Sequence, residues 1–347
     1  MTPCASCQDP HIPLLRDHTV SSSAESNSST AEPDFFSAQV VARENIATGI
    51  WRFTLRRADG TPMGAFSAGS HLTVALPAGM RRNYSLCSDP ADTSTWQIAV
   101  KRDSAGRGGS VSMVDDVQAG DLIQISAPRN NFALEPRATQ FLFIAGGIGI
   151  TPILSMMLQL ARQPGCRFRL IYCTRDEAGT AFREELRQGP LADHVQMHHD
   201  QGDLAQAIDL WPVFETPGPE HVYCCGPRGL MESVADMSGH WPSGSIHFES
   251  FGVDASVQVN DTAFSVVLQR SGKQITVAAN QSLLEALRAS GQPITSSCES
   301  GTCGSCRTRL LSGEAEHRDM VLQDDEKEHN IMVCVSRARS PELVLDL

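Results

Sequence analysis

The chain has 347 residues, length for two or three domains, with 41% hydrophobic residues and a net charge of −12. That acidity argues against nucleic acid and against anionic membrane surfaces as partners. No apolar run approaches the ~20 residues of a membrane span, and eleven cysteines, an odd number set mostly in apolar contexts, do not make a small secreted disulfide framework.

Residues 1–34 read as a disordered extension, because SSSAESNSSTAEPD is serine-rich and too poor in apolar residues to bury itself. The segment has no basic region followed by an apolar core, so it is not a secretory signal, and a soluble cytoplasmic protein is expected. Cys4 and Cys7 form a lone CxxC with no second pair beside them, and a thiol pair without structural use is the plainer reading.

Residues 35–138 carry short strand patterns: FSAQVVARE, GIWRFTLRRA, HLTVALP, RNYSLCS, WQIAVKR and DLIQISAP. Turn signals such as ADG, PAG and AGD separate them, so a six-stranded antiparallel barrel is predicted. Along RNYSL, Arg82 and Tyr84 share one face and Ser85 takes the other, which offers basic, aromatic and hydroxyl groups to a ligand. In VKRDSAGRGGS, glycines precede Ser110 and a short helix, an arrangement that can present N–H groups to phosphate or serve as a plain surface loop.

Residues 139–248 change rhythm. FLFIAGG, RFRLIYCTRD, HVQMHHD and HVYCCG read as buried strands, and TPILSMMLQLARQ, AFREELRQ and PRGLMESVADM as helices, which predicts a parallel α/β layer. GGIGITP is a strand–glycine turn–helix without the third glycine of GxGxxG, since Pro152 stands there. Gly146, Gly147 and Gly149 permit close approach to a pyrophosphate, with Thr151 expected as N-cap and Pro152 as first helical residue. A tight turn in any α/β protein reads the same way. Asp176, after Thr174 and Arg175, could accept from an adenosine ribose and repel a 2′-phosphate, though it lies 29 positions after Gly147, later than the usual ~20. Cys225-Gly226-Pro227 is expected at the carboxyl end of the sheet, where ligands of such folds bind; a buried core cysteine is the plainer reading of Cys225.

Residues 249–257 read as a linker and 258–347 as a small mixed sheet with one helix, built from SVQVN, FSVVLQR, KQITVAA, SLLEALRAS, CVSRA and ELVLDL. Its loop carries Cys298, Cys303 and Cys306, with Cys334 further on, a C-x4-C-x2-C-x27-C spacing. Four thiolates in that pattern suit a plant-type [2Fe–2S] cluster. Four-cysteine zinc sites usually show two close pairs, and Cys334 has no close partner. Gly301 and Gly304 allow the tight curl. The charged stretch EAEHRDMVLQDDEKE (314–328) reads first as a solvated loop and second as a docking face.

Together RNYSL (82–86), AVKRDSAGRGGS (99–110), GGIGITP (146–152), YCTRDEAGTAF (172–182), VYCCGP (222–227), HFESFG (247–252) and the four cysteines resemble the ferredoxin–NADP reductase superfamily. The order of parts is similar to the phthalate dioxygenase reductase family, which includes vanillate O-demethylase reductases. The resemblance implies a flavin barrel, an NAD domain and a C-terminal β-grasp ferredoxin domain, with FMN, NADH and a [2Fe–2S] cluster as cofactors. It implies that Cys298 and Cys303 hold one iron and Cys306 and Cys334 the other. It implies flavin contacts from Arg82, Asn83, Tyr84 and Ser85, from Ala99, Val100 and Lys101, and from Gly108, Gly109 and Ser110. NADH contacts would come from Gly146, Gly147, Gly149, Thr151, Pro152, Thr174, Arg175 and Asp176. Cys225, Gly226 and Pro227 would lie near the nicotinamide, and Phe251 would cover the flavin, so that Ser85, Cys225 and Phe251 surround the hydride transfer. The implied activity is an NADH-dependent reductase, a monomer serving a separate Rieske-type oxygenase. The same electron chain feeding a cytochrome P450, or a non-enzymatic redox sensor, are the alternatives.

Overall fold

In a computed structural model, residues 34–106, 108–242, 244–251, 260–296, 299–302 and 304–347 are described. The first region is one antiparallel sheet of strands β1 (Phe35–Ala47), β2 (Ile50–Arg57), β3 (Ser70–Ala75), β4 (Arg81–Ser85), β5 (Trp96–Lys101), β6 (Leu122–Ser126) and β7 (Arg129–Asn130), with helix α1 (Gly109–Asp116). The strand order is β4-β3-β6-β1-β2-β5, with β7 pairing β3 off that path. An antiparallel bridge from Leu86 to Ile98 joins the two ends of the path, next to the Cys87 N–H donating to Gln97 O at 2.9 Å. Alternation puts Val40, Phe53, Leu55, Leu72, Val74, Ile98 and Ile125 inside, all fully buried. The six predicted strands are all present.

The second region has β8 (Gln140–Gly146), α2 (Ile150–Leu160), β9 (Arg167–Thr174), α3 (Arg183–Arg187), β10 (Val195–His199), α4 (Trp211–Phe214), β11 (His221–Cys225), α5 (Arg228–Met237) and β12 (Ile246–Glu249). Its sheet is parallel, in the order β10-β9-β8-β11-β12. Central β8 reads QFLFIAG and is buried from Phe141 onward, as a strand covered on both faces must be. The edge strand β12 was not foreseen, because IHFE carries no apolar run. Among the described residues no helix is long and apolar enough to cross a membrane.

The third region contains β13 (Phe264–Leu268), β14 (Lys273–Val277), α6 (Leu283–Ala289), β15 (Arg307–Ser312), β16 (Ala315–Glu316), α7 (Asp324–Lys327), β17 (Asn330–Met332), β18 (Arg337–Ala338) and β19 (Glu342–Leu345). The main sheet runs β14-β13-β19-β15-β17. Helix α6 is opened by a capping box between Ser282 and Glu285 and lays Leu283, Leu284 and Leu287 on the sheet. Of the expected SVQVN strand, residues 256–259 lie outside the described residues. CVSRA is largely a turn, and only Arg337 and Ala338 pair, with β16.

Candidate functional site

The flavin side is built on β4. Its pairing with β3 sets Tyr84 beside Leu72 and Ser85 beside His71, and Thr73 Oγ1 donates to Asn83 Oδ1 at 2.8 Å. Arg82 lies across the start of α1: a Cβ on Gly109 would sit 2.6 Å from Arg82 Nε. Gly108, just before that helix, has φ +78°, a conformation that favours glycine. The Arg82 guanidinium donates to the Arg81 carbonyl at 2.8 Å and contacts Met80 Sδ at 3.4 Å, and no carboxylate pairs with it among the described residues. The Tyr84 hydroxyl is buried with no hydrogen-bond partner among the described residues, and burial raises its pKa to about 12. A cation without a counter-anion, a helix start left bare by glycine and an orphaned hydroxyl fit a phosphate-bearing aromatic ligand. Ser110 Oγ is engaged within the loop, accepting from the Asp103 N–H at 3.0 Å. On β5, Ala99 and Val100 are buried and Lys101 is exposed.

The nucleotide side is the turn after β8. Gly146 ends the strand, Gly147 (φ +52°) opens a single 3₁₀ turn to Gly149, and α2 begins at once with Ile150. Thr151 is therefore not the N-cap, and Pro152 is not the first helical residue. The 3₁₀ turn already has helical dihedrals at Gly149, so the helix starts earlier and the Thr151 hydroxyl instead donates to Ile148 O at 3.0 Å. Close contact holds this turn: a Cβ on Gly149 would meet Cys225 O at 2.1 Å, and one on Gly146 would meet Pro227 Cδ at 2.4 Å. Gly226 meets the same packing from the other side, its Cβ position lying 2.8 Å from Gly146 Cα.

Cys225 is fully buried, and burial raises its thiol pKa well above the usual range, so the sulfur is a neutral thiol. Across the β11–β12 ladder it pairs with Glu249, and Ser85 Oγ donates to Glu249 Oε2 at 3.4 Å. Glu249 thus ties β4 to the carboxyl end of the parallel sheet. The sequence reading passed over it in HFESFG, where Phe251 drew attention. Phe251 is 43% exposed, on the rim of the flavin cavity.

At the end of β9, Thr174 is buried and shares hydrogen bonds at 2.8 Å with Thr180 and with His199 Nδ1. Asp176 closes a turn: its Oδ1 accepts from the Gly179 N–H at 2.7 Å. Arg175 is exposed, and its carbonyl accepts from Gln201.

On the cluster side, Cys306 and Cys334 lie just beyond the ends of the paired strands β15 and β17. Cys306 immediately precedes β15 and Cys334 follows β17, and the register Arg307↔Met332 draws them to one end. Both are buried, at 4% and 3% exposure. Gly301 and Gly304 have φ +77° and +79°, the tight curl expected of them. Two buried cysteines beside a loop of left-handed glycines fit a sulfide-bridged iron pair. Cys298 and Cys303 lie outside the described residues. A cavity of about 600 Å³ is lined by His71, Arg82, Asn83, Ser85 and Phe251 together with Cys334.

Such a fold and site define an oxidoreductase with flavin, nicotinamide and iron–sulfur parts in one chain. Family models agree: an oxidoreductase FAD-binding domain matches residues 37–134, an oxidoreductase NAD-binding domain 143–236, and a 2Fe-2S iron-sulfur cluster binding domain 266–339. The chain is 55% identical over 323 residues to the phthalate 4,5-dioxygenase oxygenase reductase subunit of Pseudomonas putida, covering 93% of this chain and 100% of that one. The solved structure of a phthalate dioxygenase reductase is 54% identical with a TM-score of 0.69, over 90% of this chain and 98% of that one. An intact type IV self-sufficient cytochrome P450 monooxygenase is 37% identical with a TM-score of 0.66, over 90% of this chain and 41% of that one. The chain belongs to the phthalate dioxygenase reductase family. It is an NADH-dependent flavin and iron–sulfur oxidoreductase, the reductase component of an oxygenase system.

Proposed function

We propose that this reductase passes electrons from NADH, by way of FMN and the [2Fe–2S] cluster, to a separate Rieske-type oxygenase acting on an aromatic ring or an aromatic ether. When bound, the flavin accepts hydride and gives up single electrons, and the cluster carries them onward one at a time. Arg82 and the N–H groups from Gly108 to Ser110 hold the flavin phosphate, and Tyr84 supplies its unmatched hydroxyl. Asn83, Ala99, Val100 and Lys101 border the ring, and Phe251 shields it. Ser85 and Glu249 fix the corner where the nicotinamide arrives, and Cys225, a neutral thiol, borders it. Gly146, Gly147 and Gly149 with the start of α2 take the pyrophosphate, and Gly226 and Pro227 pack against them. Thr174, Arg175 and Asp176 border the adenosine, with Asp176 committed to its own turn and so acting through the backbone it orders. Cys298, Cys303, Cys306 and Cys334 hold the two irons. The chain acts as a cytoplasmic monomer.

The observation that carries this reading is the shared cavity, lined by flavin-side residues and Cys334 together. A second reading has the same route feeding a cytochrome P450, and it is favoured by the likeness to the reductase part of a self-sufficient P450. Mixing the purified holoprotein and NADH with a Rieske oxygenase or with a P450 separates the two. Rapid reduction of the Rieske centre supports the first reading; reduction of the P450 haem alone supports the second. Failure to reduce cytochrome c at all would remove both.

A further inference from the structure

One wall of the flavin-to-cluster cavity holds an ion pair that the electron route above does not use. Arg288, in the last turn of α6, donates through Nη1 to Glu299 Oε1 at 2.8 Å and through Nη2 to the Ser296 hydroxyl. Ser296 Oγ donates in turn to the same Glu299 oxygen at 2.7 Å. All three residues line the cavity together with Cys334. Glu299 follows Cys298 directly, and its backbone is left-handed at φ +53°, one of three such non-glycine residues among those described. That conformation costs a side-chain-bearing residue roughly 1 kcal/mol, so a glutamate here calls for a compensating contact. Arg288 and Glu299 are 44% and 50% exposed, and a pair so exposed contributes little to folding. Its charges nevertheless share a cavity with Cys334, and Glu299 is the chain neighbour of Cys298.

We propose that Arg288 is a positioning residue for electron transfer. Its fork clamps Ser296 and Glu299, the residues on either side of the 297–298 segment, and its charge offsets the Glu299 carboxylate beside the cluster. A carboxylate near the irons opposes the added electron, and a guanidinium next to it cancels most of that field. The inference rests on the four-cysteine cluster assigned above and adds to it what sets the ease of its reduction.

The test is a potentiometric titration of the holoprotein, followed by electron paramagnetic resonance of the reduced cluster. At low salt, Arg288→Gln is expected to move the one-electron equilibrium about threefold toward the oxidised cluster, and Glu299→Gln about threefold the other way. The double variant returns close to wild type, and Arg288→Lys stays near it. In 1 M salt, where the screening length falls to about 3 Å, the shifts shrink; a purely structural lesion would leave them unchanged. Unshifted potentials in both single variants overturn the proposal. Where Arg288→Gln holds no cluster, Glu299→Gln decides alone, and an unshifted potential overturns the proposal in that case too. Wild-type protein whose cluster NADH leaves oxidised refutes the electron route itself. Wild-type reduction with unshifted variants sinks only the role of Arg288.

Discussion

The glycine turn of the nucleotide region and the cluster loop of the ferredoxin region use the same residue for different physical reasons. Gly149 has ordinary helical dihedrals, and what forbids a side chain there is space, because Cys225 O stands 2.1 Å from the Cβ position. Gly301 is set by conformation as well as space, with φ +77°, a buried Val335 methyl 2.7 Å from its Cβ position and the Asp319 Cα at 3.1 Å. The first turn therefore excludes a side chain by contact alone, and at Gly301 a left-handed backbone excludes one even before contact is counted.

The largest effect expected from breaking this contrast is in Gly149→Ala. Overpacking against main chain costs about 3 kcal/mol or more, read as a lower urea midpoint and loss of NADH binding together. Gly301→Ala costs about 1–3 kcal/mol for the left-handed backbone, and the Val335 and Asp319 contacts add to it. It is expected to show as lower cluster content per chain, with NADH binding preserved. If the two variants lose the same functions to the same degree, the distinction between crowding and dihedral is wrong.

A smaller effect sharpens the comparison on the flavin side. The Tyr84 hydroxyl has no partner among the described residues, so Tyr84→Phe is expected to leave the flavin-free protein as stable as before or more so. Flavin binding weakens by about 0.5–1.5 kcal/mol, the size of one hydrogen bond. Equilibrium dialysis of flavin, set beside thermal melts of the stripped protein, separates the two outcomes; a destabilised stripped protein would mean that the hydroxyl has a protein partner after all.

The smallest effect concerns pH. His247 stacks on Tyr223 with ring centroids 4.3 Å apart, and its Nε2 lies 3.0 Å from His221 Nδ1. Burial, then the neighbouring His221, lowers its pKa to about 4, against a weaker opposing pull from Glu135. The unfolded chain therefore takes up this proton as pH drops below about 6.5, while the native state resists until about 4. Stability falls across that window as pH falls. Urea midpoints from pH 4 to 7 should slope less in His247→Asn; an equal slope would place the proton elsewhere.

How much of this was legible in the sequence follows from which contacts are local. The barrel strands and the alternating β/α order appear as periodicity, which needs no partner to be seen. The four-cysteine spacing and the left-handed glycines also lie within one stretch of chain. Glu249 did not show, because it meets Ser85 across 164 positions. Nor did the fate of residues 317–322, read first as a solvated loop. Arg318 is buried between Asp261 and Glu316, and the Asp319 carboxylate is buried with it, accepting from the N–H groups of Val321 and Leu322. Met320 donates its N–H to Gly301 O at 2.9 Å and packs against the nucleotide region's core. Charges in a row look solvated until the fold shows that one of them, Arg318, meets Asp261, 57 positions away. Strands β15 and β17 were hidden for a related reason, since RTRLLS and NIM flank cysteines whose spacing dominates the reading.

The most direct test of the account is an anaerobic titration of the purified holoprotein with NADH, with absorption and electron paramagnetic resonance recorded on the same sample. Flavin bleaching accompanied by the signal of a reduced [2Fe–2S] centre, with about three electrons taken up per chain, is the predicted result. A flavin that bleaches while the iron centre stays oxidised and silent would contradict it.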